Sequence, residues 1–346
     1  MTTDTSVPQG GGSSRSTPSK AASARGAMMS TTPPESMVDV VLLAFGGPAD
    51  LSAVAEFLAR MTGRTPTDET VAAVRERYAA IGGASPLPEI TARQARALQA
   101  KLVQELVFPV RVRHGFLFAE PGVAECLKEL TAGEVVALPL SPFGARETRD
   151  RYRKALDEAG ATDVPMIEGW YAGRGFVKAV SKRIAEALDG CDAGEWAVLF
   201  TAHNVPLENV LEGDPYVEQL QQTIAQLVPR IMPGDWRFAF QSKGRGGGEW
   251  LEPEADDVVR ALAGDGWEKL LVVPLGFVSD NVETLYDLDV QLRAVAEANG
   301  MEYRRSAPPN DSPYFVEALA DVVVDYLARR PVEDQSHRPD KPHAHG

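Results

Sequence analysis

Short apolar runs alternate with amphipathic segments along most of the chain. The run "VDVVLLAF" (38–45) is too short for a buried helix and is followed by Gly-Gly-Pro, so it predicts a buried parallel strand. After it, Asp50 is expected to cap one helix, and a second helix is expected to begin at Thr67. Further strands are predicted at 110–118, 134–140, 164–168, 196–202, 236–241, 269–277 and 301–305.

This alternation of strands and helices predicts an α/β fold with two Rossmann-like lobes. Each lobe would be a four-stranded parallel sheet flanked by helices, with a central cleft between the lobes. We place the N-terminal lobe at 37–170 and the C-terminal lobe at 171–330, and expect the last helix (312–329) to pack on the first lobe. Ligands of such sheets bind at the carboxyl ends of the strands, so the polar segments that follow each strand are the candidate site.

The two ends of the chain differ in composition from the rest. Residues 1–36 are rich in Ser, Thr, Pro, Gly and Ala, which predicts a disordered N-terminal extension rather than a targeting signal. Residues 331–346 have the same character and predict a disordered tail. No run of about 18 apolar residues exists to span a membrane. We therefore expect a cytoplasmic monomer and leave a peripheral membrane contact open.

Charge and cysteine usage exclude several classes of function. A net charge of −14 argues against a nucleic-acid partner, because phosphates require a basic surface. Cys126 and Cys191 are too few and too far apart for a disulfide framework, a zinc knuckle or a four-thiolate iron-sulfur cluster. Cys126 lies in an apolar helical pattern and is expected to be a small core residue. The sequence predicts no iron-sulfur cluster and no tightly bound cofactor.

Candidate chemistry lies after two of the predicted strands. His203 ends the strand that contains "WAVLF", where a structural histidine is the alternative to a functional one. Glu283 and Asp287 follow the apolar run "LLVVPLGFV" and stand four residues apart, which places both on one face of a helix. That face is either part of a functional site or an ordinary acidic surface in contact with solvent. A histidine and a glutamate at neighbouring strand ends suit acid-base chemistry or transient metal contact. No Ser or Cys nucleophile elbow supports a hydrolase.

Five segments, in order between Val38 and Leu327, together resemble ferrochelatases. They are "LLAFGGP", "RYAAIGGASPLPEITARQARAL", "TAHNVP" with the following "GDPYVEQL", "FQSKG" with "WLEPE", and "GFVSDNVETLYDLD". The resemblance implies a chelatase-like fold that binds a porphyrin in the cleft and inserts Fe(II) into it. It implies that His203 is the proton acceptor or a transient iron ligand, that Glu283 faces it, and that Asp287 continues an acidic path for the metal.

The resemblance also implies which residues contact the substrate. Arg77 would pair with a propionate and Ser85 would donate a hydrogen bond. The short segment 57–81 is similar to that of the Gram-positive-type branch, which uses coproporphyrin III, with protoporphyrin IX as the alternative. Both the porphyrin and Fe(II) would be substrates, in haem biosynthesis. The full set of implied substrate-binding residues is Phe45, Arg77, Tyr78, Ser85, Gln94 and Tyr152.

The chain departs from the family pattern at several positions. Phe45 stands where that branch usually has a tyrosine, and Asn281 stands where many members have a histidine. Gln291 stands where the family pattern has the next acidic residue after Asp287. These departures keep two alternatives open. One is a catalytically weak haem- or porphyrin-binding protein, and the other is a cobalt or nickel chelatase for another tetrapyrrole. His203 and Glu283 are retained, which favours an active ferrochelatase.

Overall fold

Two parallel β-sheets organise the protein. The computed structural model describes residues 37–130, 133–244 and 248–329, so the predicted disordered segments 1–36 and 331–346 lie outside the described residues. One sheet has the order β2-β1-β3 and the other the order β5-β4-β6-β7. The strands are β1 (Val38–Ala44), β2 (Val110–Phe116), β3 (Glu134–Pro139), β4 (Ala197–His203), β5 (Asp235–Gln241), β6 (Lys269–Pro274) and β7 (Glu302–Arg305).

Helices connect the parallel strands and cover the sheets, which confirms the predicted α/β fold. They are α1 (Val54–Thr62), α2 (Asp68–Ala80), α3 (Leu87–Glu105), α4 (Val123–Lys128), α5 (Arg146–Glu158), α6 (Arg174–Leu188), α7 (Leu207–Leu211), α8 (Tyr216–Ile231), α9 (Ala255–Gly264), α10 (Arg293–Ala298) and α11 (Pro313–Arg329). A π-helix spans Glu283–Leu292, and short 3₁₀ turns span Trp170–Ala172 and Ala193–Glu195.

The first sheet has three strands among the described residues, where the sequence predicted four. The predicted strand at 164–168 contributes one isolated bridge, between Met166 and Ala137. Ala137 donates its amide to the Pro165 carbonyl at 2.9 Å and accepts from the Ile167 amide at 2.8 Å. Pro165 has no N–H to donate, so the ladder does not extend through it.

Of the two predicted helix starts, Thr67 caps its helix, whereas Asp50 caps the turn before α1, whose N-cap residue is Ala53. The Asp50 carboxylate accepts from the Ser52 amide at 2.7 Å and from the Ala53 amide at 3.1 Å, in the turn that leads into α1. Thr67 accepts from the Thr70 amide at 3.2 Å and caps α2. Thr67 thus satisfies a backbone donor that a helix leaves unpaired at its start.

One hydrophobic cluster joins the two sheets. It includes Leu42 of β1 and Phe200 of β4, both completely buried, together with side chains of α3, α6, α8 and α11. Helix α11 packs against α3 and α6. Cys126 is buried in a smaller cluster, as predicted. The lobe boundaries near residue 170 stay a prediction.

Within the described ranges, no helix is long and apolar enough to cross a membrane. The predicted monomer, peripheral membrane contact and cytoplasmic location stay predictions.

Candidate active site

The centre of the site is a pair of side chains at the carboxyl ends of the second sheet. Nδ1 of His203, the last residue of β4, lies 3.2 Å from Oε2 of Glu283, the first residue of the π-helix. The imidazole N–H is not aligned for a hydrogen bond at this distance. The two side chains are 43% and 28% exposed, so a ligand in the cleft can reach both.

Neighbouring residues fix the position of His203. Gly276 lies directly against the end of β4: a Cβ at this position would be 3.0 Å from Cα of Ala202 and 3.3 Å from the amide nitrogen of His203. The Tyr216 hydroxyl donates to the His203 carbonyl at 3.2 Å. The histidine backbone is therefore confined on two sides.

Glu283 is held by the start of the π-helix. The Asn281 side-chain oxygen accepts from the amides of Glu283 at 2.8 Å and Thr284 at 3.3 Å, in the manner of a helix cap. Gln241, the last residue of β5, donates to the Glu283 carbonyl at 3.2 Å. The asparagine that stands where many ferrochelatases have histidine thus orders the segment that carries the carboxylate.

Asp287 lies one helical turn beyond Glu283 and is tied to two other elements. Its carboxylate is paired with the Arg77 guanidinium of α2 and accepts from the Ser242 hydroxyl at 2.5 Å. The guanidinium also lies 5.5 Å from the centre of the Tyr286 ring. The predicted substrate-binding arginine and the predicted metal-path carboxylate therefore contact each other.

The charges in this group shift one another's pKa values. Burial lowers the pKa of His203, but the charge and contact of Glu283, aided by Glu147 and Asp287, outweigh burial and raise it. Burial raises the pKa of Glu283, but His203 and Arg77 outweigh burial and lower it. Burial raises the pKa of Asp287, and the opposing contacts with Arg77 and other groups do not cancel this effect. Each member of the pair thus stabilises the charged form of the other.

We expect Glu283→Gln to lower the pKa of His203 from above to below its ordinary value of about 6.5. The substitution removes the negative charge that raises this pKa and leaves the burial that lowers it. NMR titration of the ligand-free protein measures the shift, with the spectrum of His203→Ala identifying the resonance. An unchanged titration midpoint would contradict the electrostatic coupling.

The same coupling contributes to stability over a defined pH window. The contribution of His203, whose pKa is raised on folding, is complete below its unfolded pKa and is lost as pH rises through the folded pKa. The contribution of Glu283, whose pKa is lowered, is present above its unfolded pKa and is lost as pH falls through the folded pKa. The pair therefore stabilises the fold most in mildly acidic solution.

An apolar wall lies beside this polar group. Phe45 is 37% exposed, and its ring contacts Phe118 edge to face with centroids 4.7 Å apart. Phe118 in turn contacts Phe57, which contacts Tyr78. Phe118 also packs in the same cluster as Val282, the neighbour of Glu283. The aromatic wall and the acidic group thus adjoin.

Ser85 lies against the loop that follows β1. A Cβ at Gly47 would meet the Ser85 hydroxyl at 2.4 Å and would lie 3.8 Å from the Tyr78 hydroxyl, so only glycine fits there. The Ser85 amide donates to the Pro48 carbonyl at 2.9 Å. Ser85 and Tyr78 are therefore both close to this loop, but both are buried.

Two of the predicted substrate-binding residues lie elsewhere. Gln94 is completely buried, and its amide donates to the Ser279 hydroxyl and to the Asn310 carbonyl, both at 2.9 Å. Tyr152 is buried in a hydrophobic cluster with Leu43 and other apolar side chains. The structure does not place either residue in contact with the His203 and Glu283 pair, and their substrate-binding role stays a prediction.

Ser242 and Phe118 were not among the predicted site residues. Ser242 directly follows β5, and its strand-end position was the available signal. Phe118 follows β2 in the same way, but its pairing with Phe45 depends on sheet order, which the sequence does not state. Among the described residues, no cluster of three or more His, Cys, Asp or Glu is arranged to hold a metal ion.

Solved structures with a similar fold include two chelatase-like proteins. The chain is similar to CbiX, the terminal enzyme of sirohaem biosynthesis in denitrifying bacteria, with a TM-score of 0.52 and 18% identity over 83% of this chain and 98% of that one. It is also similar to a multi-domain Deinococcus radiodurans protein with structural similarity to chelatases, with a TM-score of 0.52 and 14% identity over 83% of this chain and 54% of that one. The fold is thus that of the chelatases.

Sequence comparison gives the family. The ferrochelatase family model matches residues 38–327. A ferrochelatase of Aquifex aeolicus is 35% identical, over 82% of this chain and 97% of its own length. A coproporphyrin III ferrochelatase of Anoxybacillus flavithermus is 31% identical, over 85% of this chain and 97% of its own length. The chain belongs to the ferrochelatase family, and the protein is an enzyme that inserts a metal into porphyrin.

Proposed function

We propose that the protein inserts Fe(II) into coproporphyrin III, as a step of haem biosynthesis. The observation that carries the chemistry is the partly exposed pair of His203 and Glu283, 3.2 Å apart at the strand ends. The relative named as a coproporphyrin III ferrochelatase supports the choice of porphyrin, with protoporphyrin IX as the competing substrate. In this proposal Fe(II) is a substrate, and no tightly bound cofactor takes part.

Metallation requires a proton acceptor close to the macrocycle. Fe(II) forms bonds to all four pyrrole nitrogens, and the two inner N–H protons leave the porphyrin. The neutral His203 imidazole accepts a proton, and the Glu283 carboxylate stabilises the imidazolium that forms. The raised pKa of His203 strengthens it as a base. Asp287, whose pKa is raised by burial, offers a second carboxylate close to the pair.

The metal would approach along the face of the π-helix that carries the carboxylates. A cavity of about 220 Å³ borders Asp287 and is lined on its other sides by Ser242, Glu254, Asp256 and Gln291, among others. Oxygen donors of this kind bind Fe(II) weakly enough to release it, whereas a closed set of nitrogen or sulfur ligands would retain it. Gln291 stands where ferrochelatases are expected to have an acidic residue. Its amide oxygen can still bind a metal, but without a negative charge.

Anaerobic incubation of the purified protein with Fe(II) and each porphyrin tests the proposal. The Soret and Q bands report metallation, and we expect coproporphyrin III to be metallated with a higher kcat/KM than protoporphyrin IX. A higher kcat/KM for protoporphyrin IX would contradict the choice of substrate.

The same assay separates the alternatives. Binding of porphyrin without metallation would favour a haem- or porphyrin-binding protein, which Phe45 supports because its ring cannot ligate iron. Faster insertion of cobalt or nickel than of iron would favour a chelatase for another metal.

A further inference from the structure

The π-helix that carries Glu283 and Asp287 is an unusual element. It spans ten residues, Glu283–Leu292, whereas π-helical geometry is rare and mostly confined to single turns. A segment that could relax into an α-helix needs contacts that hold its wider form. Relaxation would rotate its side chains relative to one another, because the number of residues per turn would change.

Arg305 of β7 contacts both this segment and the residues just before it. Its guanidinium makes a two-pronged contact with Asp289 in the π-helix, with Nε to Oδ1 at 2.8 Å and Nη2 to Oδ2 at 2.7 Å. Its remaining terminal nitrogen lies 3.2 Å from Oδ1 of Asp280, just before the π-helix. The Arg305 side chain is only 9% exposed, so these contacts are little screened by water.

Asp280 links Arg305 to residues next to Glu283. Its carboxylate accepts from the Thr284 hydroxyl at 3.0 Å and from the Asn310 side-chain amide at 2.8 Å. The Asp280 amide donates to the Asn310 side-chain oxygen at 2.8 Å. Both sides of Glu283 are thereby fixed to one buried guanidinium.

Tyr303, two residues before Arg305 on β7, adds a contact with the backbone. Its hydroxyl donates to the Leu288 carbonyl, inside the π-helix, at 2.9 Å. The hydroxyl thus ties the backbone of the π-helix to β7.

We propose that Arg305 is a positioning residue that holds the π-helix in the geometry in which Glu283 faces His203 and Asp287 faces Arg77. This inference rests on the proposed function, since it assigns a role in metal insertion. A planar two-pronged guanidinium suits the task because it fixes the orientation of its partner carboxylate as well as its distance.

The test compares Arg305→Met with Arg304→Met. Arg304 lies on the same strand but contacts the carbonyls of Ala187 and Leu188 and the ring of Trp196, not the π-helix. We expect Arg305→Met to lower kcat on the order of 10²-fold, with the porphyrin KM within about twofold, because small misplacements of catalytic groups have large kinetic costs. Arg304→Met is expected to keep kcat.

Amide hydrogen exchange gives a readout that needs no turnover. In Arg305→Met the amides of 283–292 are expected to lose protection, while those of β4 keep theirs. Arg304→Met is expected to leave the same amides protected. Asp289→Asn, which keeps the side-chain shape, should give the same local loss if Arg305→Met does not fold. Arg305→Lys should recover part of kcat, because an ammonium restores the charge but not the two-pronged contact.

Unchanged kcat in Arg305→Met, or equal loss of protection at 283–292 in both arginine variants, would overturn the positioning role. A wild-type protein that does not metallate porphyrin would overturn the proposed function instead, and the exchange experiment would still decide whether Arg305 holds the π-helix.

Discussion

His203→Ala is expected to reduce the rate of iron insertion by about 10²–10⁴-fold, the range that a positioned acid-base group contributes. The imidazole is the side chain at the end of β4 that can accept a porphyrin proton. Without it, Glu283 would have to accept the proton itself, and it would then lose the negative charge that stabilises a protonated neighbour. Glu283→Gln keeps the side-chain shape but removes the charge that stabilises the imidazolium, and a loss of similar size is expected. Metallation followed by absorbance gives both rates.

His114 provides the matched control. It is the other histidine among the described residues, and its ring contacts Phe116 edge to face with centroids 5.4 Å apart. His114→Ala should keep wild-type turnover. Circular dichroism and thermal unfolding should show that all three variants fold. Turnover near wild type in His203→Ala or Glu283→Gln would refute the assigned chemistry.

Gly276→Val is expected to lower kcat on the order of 10²-fold without removing any catalytic group. The backbone of Gly276 lies so close to Ala202 and His203 that a new side chain must displace the end of β4. The glycine has no left-handed backbone conformation to maintain, so the effect would come from steric displacement of the histidine. Steady-state metallation measures kcat, and a crystal structure of the variant would show the shift.

Gly264→Val is the control for this substitution. Gly264 ends α9, and a Cβ there would meet no atom within 4 Å. Its activity should equal that of the wild type. Full activity in Gly276→Val would mean that the end of β4 tolerates displacement, and would contradict a strict requirement for the observed position of His203.

The sequence predicted the central pair because both members follow apolar strands. His203 ends β4 and Glu283 follows β6, and adjacent parallel strands bring their carboxyl ends to one edge. The four-residue spacing of Glu283 and Asp287 also predicted a shared helical face. It did not predict the π-helix, because residues four apart lie near one face in either kind of helix.

The remaining differences have local physical causes. The sequence did not show that the side chain of Gln94 contacts Ser279 and Asn310. Tyr152 has an aromatic ring that a core accepts as readily as a binding site. The predicted strand around Met166 forms only one bridge, because Pro165 has no amide hydrogen with which to extend the ladder.

The hydrophobic cluster that joins the two sheets bears on how a porphyrin enters and leaves. Lobes joined by a large apolar interface do not rotate freely against each other. Leu42 and Phe200 belong to one buried cluster, so a clamshell opening would expose apolar surface at a cost of about 25 cal/mol per Å². Helices α1 and α2 pack in a separate, smaller cluster, together with Phe118 and Val282. Exchange of substrate for product would therefore depend on a local displacement of these helices at the edge of the cleft.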